Sequence, residues 1–228
     1  MIYVAGEILI DQFISEKEET KFPGGAPFNV ASNINHFGGD VTFFGSVGKD
    51  DNGSFLKKTA KAKKFKKLVL TTPKGRDTTI ALVTLKNGER SFKFNRDNGA
   101  DYILTMKNLE KLNIQKGDIV HIGSLMFSYS RGRKFYYKAV KYVKDKGALI
   151  SFDVNYRDDI FESNDVAKRI YKKAMKFADI LKISNEELDA LSNRKTFRGK
   201  LKSLTNEMQI VFVSMGENGS SLFYENKF

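Results

Sequence analysis

From residue 105 onward the chain alternates between two hydrophobic patterns. One is the short, nearly unbroken apolar run: DIVHIGS at 118–124, ALISFDVN at 148–155, ADILKIS at 178–184 and QIVFVSM at 209–215. Such runs predict strands buried on both faces. The other is the helically spaced segment, found around 105–113, 131–146, 164–177, 185–192 and 196–206. Strand and helix in regular alternation predict a mostly parallel sheet with helices on both faces. Polar or glycine residues sit just past the strand ends: Gly123 and Ser124, Asp153 and Asn155, Ser184 and Glu187, Ser214 and Gly216. Ligands of such sheets bind along that edge.

The first hundred residues are less regular. IYVA (2–5) predicts a short buried strand ending at Gly6. Glu7 and Asp11 then bracket an apolar Ile-Leu-Ile. Asp11 is expected directly after a strand, where it either faces the ligand crevice or caps a turn. SEKEETK (15–21) predicts a charged loop or exposed edge, and Val41-Thr-Phe-Phe44 is strongly β-forming. TTIALVTLKNGERSFKFN (78–95) predicts two strands joined at Asn87-Gly88. Its amphipathic alternation suits a separate small sheet lying over the main one. Near the C-terminal end, Gly216-Glu-Asn-Gly219 predicts a turn and the start of another strand.

GGAPFNVASNINHFGG, residues 24–39, stands apart. Paired glycines open and close it, and Val30, Ala31, Ile34 and Phe37 form one helical stripe. A helix from about Pro27 follows the first glycines. Gly24 and Gly25 let a ligand approach the main chain, and amides exposed at such a junction favour an oxygen-rich or anionic ligand. A plain strand-loop-helix connection fits the same spacing.

Composition narrows the choices. The 228 residues contain no cysteine, which removes disulfides and thiolate metal sites. Two histidines, His36 on a helix and His121 inside a strand, exclude a histidine-rich metal site and read as structural. No apolar run is long enough to cross a bilayer, and the N-terminus lacks a basic n-region, so a cytoplasmic location is the expectation. The net charge of +12 raises nucleic acid as a partner. The excess gathers in KKTAKAKKFKK (57–67), with seven lysines in eleven residues, and Leu56, Ala60, Phe65 and Leu68 as a broken apolar stripe. Without arginine or interleaved aromatics, this reads as a solvated helix face, with no nucleic-acid partner expected.

The sequence carries no GxxxxGK[ST], no GxGxxG after the first strand and no GxSxG. Two glycines, then Pro27, Asn29, Ala31 and Gly38, followed by FGSVGKDDNG around Gly48, resemble the first signature of the ribokinase (PfkB) sugar kinases. GERSFKFNRDNGAD resembles the fructokinase-type lid strand and its return, SFDVNYR a D-x-N-x-R segment, and VSMGENGSSLFY the nucleotide-contacting strand and turn. The matches follow the family's order over essentially the whole chain.

The resemblance implies a ribokinase-like α/β/α fold over residues 1–228, with a small β-sheet lid at about 8–22 and 78–98 that excludes water. It implies phosphorylation of a sugar by ATP with Mg²⁺, and stimulation by a monovalent cation. Asp11, Gly24, Gly25 and Asn29 would hold the sugar. Arg96 and Arg157 would lie near the sugar or the transferring phosphoryl group. Ser214, Gly216 and Gly219 would contact ATP. Glu187 would order magnesium through water as the glutamate of an N-x-x-E motif, although Ser184 stands where the asparagine belongs. The second family signature, D-T-x-G-A-G-D, with its anion hole and aspartate base, does not occur between residues 1 and 228. Asp97-Asn-Gly-Ala-Asp101 is no substitute, with one glycine and a place at the lid return.

The reading is therefore a sugar kinase, with fructose favoured by segments 92–101 and 152–157, and with doubtful activity in the isolated chain. A kinase for ribose, 2-keto-3-deoxygluconate or a nucleoside is one alternative. A non-catalytic sugar-binding or regulatory protein is the other. A homodimer formed through the lid is a further expectation. A chain cut short of a full-length kinase is the favoured explanation of its length.

Overall fold

The computed structural model describes residues 1–14, 19–86, 89–206 and 209–224. In chain order the strands are β1 (Ile2–Ala5), β2 (Leu9–Ile14), β3 (Glu19–Gly24), β4 (Val41–Ser46), β5 (Lys67–Thr71), β6 (Ile80–Lys86), β7 (Glu89–Asn95), β8 (Ile119–Ile122), β9 (Leu149–Asp153), β10 (Ile180–Ser184), β11 (Ile210–Ser214) and β12 (Ser220–Phe223). The α-helices are α1 (Ala26–His36), α2 (Asp51–Ala62), α3 (Met106–Glu110), α4 (Ser130–Asp145), α5 (Asn164–Met175), α6 (Asn185–Leu191) and α7 (Phe197–Leu204).

The strands form two sheets. The larger has the order β12-β11-β10-β9-β8-β1-β4-β5 and is parallel except for β12 at its edge. The smaller has the order β3-β2-β6-β7, with β2 and β6 parallel and the other pairs antiparallel.

Both faces of the large sheet are covered, and alternate residues show it. Tyr3 and Ala5 pack into one core with the inner faces of α4 and α5, while Val4 between them packs into another with α1 and α2. Phe43 and Phe44 divide in the same way, both fully buried. Burying each such ring contributes about 2–3 kcal/mol. A third, small cluster of Leu9, Ala81 and Leu125 joins the small sheet to the large one.

Two expectations need correction. The lysine-rich helix does not reach Phe65 and Leu68. It ends at Ala62, Lys64 takes a left-handed φ of 56°, and Leu68 belongs to β5, paired with Phe43. Asp11 does not follow a strand but lies inside β2, opposite Phe22. Of the segment at 15–21, expected as a charged loop or exposed edge, residues 19–21 form the edge, because β3 returns along β2 as far as Gly24, and residues 15–18 lie outside the described residues. The Asn87-Gly88 turn falls outside the described residues, but the register of β6 with β7, from Ile80–Asn95 to Lys86–Glu89, is that of the expected hairpin.

Candidate functional site

The small sheet stands over the C-terminal ends of the central strands, and a cleft of about 220 Å³ lies between them. Glu7, Leu9, Asp11, Gly25, Asn29 and Arg157 contribute to its wall. They come from segments that β1, β2, α1 and β9 deliver to one edge of the sheet.

The glycine pair acts by conformation and by close approach. Gly25 has φ 108° and is the N-cap of α1, with Pro27 in the first turn. A Cβ there would sit 2.5 Å from the main-chain oxygen of Glu7. Gly24 ends β3, and a Cβ on it would lie 2.1 Å from Asp11 Oδ2. Gly24 therefore makes room for Asp11, while Gly25 presents the start of the helix. The Asp11 carboxyl is half-buried, and burial raises its pKa.

The lid is fastened at its base. The Asp50 carboxylate caps α2 by accepting the Gly53 amide at 2.7 Å. It also accepts the amide and the hydroxyl of Thr78, two residues before β6. The Gly48 amide donates to Thr78 Oγ1 at 3.0 Å. A Cβ at Gly48 would fall 2.4 Å from the Thr78 nitrogen, and one at Gly53 2.2 Å from the Gly48 oxygen. The spacing of glycines and aspartate in GKDDNG is thus the packing of this junction.

Of the ten site residues expected, Asp11, Gly25, Asn29 and Arg157 line the cleft together, with Gly24 behind Asp11. Arg96 lies elsewhere. It is 4% exposed, pairs with Asp101 at 2.5 Å and donates to Ser128 Oγ at 2.7 Å. Its guanidinium stands 5.6 Å and 5.2 Å from the stacked rings of Tyr102 and Tyr129. It borders an adjacent cavity of about 490 Å³, with Phe94 in the wall of both.

Glu187 is occupied by main-chain amides. Its Oε2 accepts from Ser184 N at 2.7 Å, completing a capping box on α6, and its Oε1 accepts from Tyr156 N at 2.6 Å. Ser184, the departure from the asparagine of the motif, supplies the other half of that box, its Oγ accepting the Glu187 amide at 3.2 Å. Among the described residues, no three His, Asp or Glu side chains converge as a metal would need.

Ser214 ends β11, and Gly216 and Gly219 shape the turn into β12 with φ of 55° and 83°. A Cβ on either would meet nothing within 4 Å, so the turn needs glycine for its backbone angles alone. The cleft does not include these three residues: Ser214 is the last residue of β11, and the two glycines lie between β11 and β12.

Two polar cleft residues had no specific role from sequence, Glu7 and Asn155, of which Asn155 was noted only as lying past a strand end. Glu7 is 2% exposed, and Asn155 holds φ 39°, an uncommon angle for a side-chain-bearing residue. The signal for Glu7 was its place between Gly6 and an apolar run, where a carboxylate is costly to bury. His121 is buried beside Ser151 at 3.1 Å, and burial pushes its pKa down to about 4, in keeping with a structural imidazole.

The fold and the lid-covered cleft define a ribokinase-type carbohydrate kinase architecture. The pfkB family carbohydrate kinase pattern matches residues 2–228, and the chain belongs to that family. It is 33% identical over 239 aligned residues to Fructokinase-2 of Solanum lycopersicum, covering 100% of this chain and 73% of that protein. Fructokinase of Vibrio cholerae O395, solved with fructose, ADP and calcium ion, superposes with a TM-score of 0.86 at 27% identity, over 99% of this chain and 74% of that one. Fructokinase of Xylella fastidiosa with bound ATP gives a TM-score of 0.88 at 25% identity, over 99% and 75%. Among the described residues, no helix is long and apolar enough to cross a membrane.

Proposed function

We propose that this chain carries the sugar-binding half of an ATP-dependent kinase acting on a free sugar, with fructose as the sugar. The observation that carries the reading is the convergence of Asp11, Gly25, Asn29 and Arg157 on one cleft beneath the small sheet. A carboxylate accepts hydrogen bonds from hydroxyls, an amide side chain both gives and accepts, and a guanidinium fork meets several oxygens at once. The fructose-bound and ATP-bound relatives support the choice of both ligands.

In the reaction, a sugar hydroxyl forms a bond to the γ-phosphorus as the bridging bond to ADP breaks, and its proton passes to a base. The residues of this cleft bind and orient the sugar, and the lid excludes water. Arg157, in the cleft wall, is proposed to meet the sugar or phosphoryl oxygens. Arg96 keeps the lid return in shape and acts from the second layer. The turn at Ser214, Gly216 and Gly219 is the proposed ATP contact. Magnesium is proposed to arrive on the nucleotide's phosphates, since it keeps water and phosphate oxygens as its main ligands. The anion hole and base of D-T-x-G-A-G-D are not among the 228 residues. The isolated chain is therefore proposed to bind sugar and to turn it over slowly or not at all. A cytoplasmic location and a homodimer through the exposed lid residues Ile14 and Phe22 complete the reading.

Calorimetry with fructose, run beside a coupled assay for ADP, tests it. Saturable sugar binding that Asp11→Ala removes is the expected result. Absence of binding overturns the sugar reading, and turnover at ordinary kinase rates overturns the inactivity.

A further inference from the structure

Glu7 has no task in the scheme above, yet it is buried in the wall of the cleft. Its Oε2 is shielded from solvent and has no hydrogen-bond partner among the described residues. A Cβ on Gly123 would lie 2.6 Å from that oxygen, and one on Gly25 would meet the main-chain oxygen of Glu7. The residue is thus wedged between the turn after β8 and the turn that opens α1.

The charges around it do not neutralise it. From the lid return, Arg96 is spent on Asp101 and Ser128. From the end of β9, Asp153 adds negative charge and pairs with Lys182 of β10 at 3.1 Å. From α5, Tyr171 faces it, and Arg157 and Asp11 share its cleft. An ionised carboxylate here has lost its water, and its own main-chain amide and the distant Arg96 do not make up the loss. Burial first, then Asp101 and Asp153, push Glu7 up to about 7, against the pull of its own amide and of Arg96.

We propose that Glu7 is a positioning residue of the sugar cleft, working as an uncharged acid whose carboxyl packs against the Gly123 turn while its main chain abuts Gly25. The proposal rests on the sugar-kinase reading. Ionising Glu7 sets an uncompensated negative charge against the Gly123 turn, in the wall of the cleft that takes the ligand. Sugar affinity therefore falls as pH rises through neutrality.

The test is fructose calorimetry on the 228-residue chain and on its Glu7→Gln and Glu7→Ala variants, between about pH 5.5 and about pH 8.5. Wild-type affinity is expected to drop about tenfold over that range, the equivalent of one pKa unit of coupling. Glu7→Gln, isosteric and never charged, is expected to keep the acid-side affinity throughout. Glu7→Ala is expected to bind weakly at every pH. A Glu7→Gln profile that tracks the wild type, or wild-type binding by Glu7→Ala, overturns the proposal. A wild type that binds no sugar at any pH sinks the sugar-kinase reading, and urea unfolding over the same pH range then judges Glu7. A wild-type loss of stability that Glu7→Gln lacks keeps the uncharged acid, whereas equal losses overturn it.

Discussion

Thr78 gives both its main-chain amide and its hydroxyl to the carboxylate of Asp50, each at 2.7 Å. The same carboxylate caps α2 through Gly53. One side chain thereby fixes the start of a core helix and the approach to lid strand β6. Asp50→Ala removes a cap and leaves two amides and a hydroxyl without their acceptor. It should cost about 2–3 kcal/mol in urea unfolding at neutral pH. Burial acts to raise the Asp50 pKa, but its hydrogen bonds to Thr78 and Gly53 outweigh it and the net shift is downward. A depressed carboxylate contributes stability above its unfolded pKa and loses it as pH falls through the folded one. The penalty of Asp50→Asn should therefore shrink between about pH 7 and about pH 3, and a constant penalty would refute this account.

Gly24 and Asp11 make a narrower test. A methyl group on Gly24 would fall 2.1 Å from Asp11 Oδ2, so the carboxylate has to turn away. Gly24→Ala should weaken fructose binding about tenfold or more, while unfolding changes by about 1 kcal/mol or less. Equal sugar affinity in the two proteins would show that Asp11 does not hold the sugar.

The large sheet was legible because its strands are buried on both faces and read as unbroken apolar runs between amphipathic helices. The position of β5 was not. Seven lysines in 57–67 extend the look of a solvated helix past Ala62, and a left-handed Lys64 carries no residue-level signal. Asp11 was expected at a strand end because Gly6 to Ile8 looks too short to separate two strands, yet β1 and β2 enter different sheets across it. The cleft partners Gly25 and Asn29 were visible through their motif, and Asp11 as a carboxylate beside an apolar run. The burial of Arg96 was not, since its partner Asp101 lies five residues away across a turn, a spacing that belongs to no regular element.

Arg96 and Asp101 form a buried ion pair, 4% and 1% exposed. Thr79 Oγ1 also donates to Asp101. Removing one partner strands the other charge away from water. Arg96→Ala should cost about 3–5 kcal/mol, and the double change with Asp101→Asn less than the sum of the two single changes. Chemical denaturation of the four proteins of the cycle measures this. Additive losses would show that the pair does not hold the lid return.

Glu187 separates a metal role from a structural one. Each of its oxygens accepts a main-chain amide, one at Ser184 and one at Tyr156. Tyr156 lies between Asn155 and Arg157, both in the cleft wall. Glu187 thus ties the start of α6 to the loop that carries Arg157. A glutamine keeps the size but offers one acceptor oxygen and one NH₂, which would face an amide donor. Glu187→Gln should therefore lose about 2 kcal/mol in unfolding, close to the loss in Glu187→Ala. Both variants should also weaken fructose binding measured without magnesium or nucleotide, because the Arg157 loop loses its anchor. A residue that served only to order a metal would leave stability and metal-free sugar binding unchanged. That result in either variant would return Glu187 to the metal site.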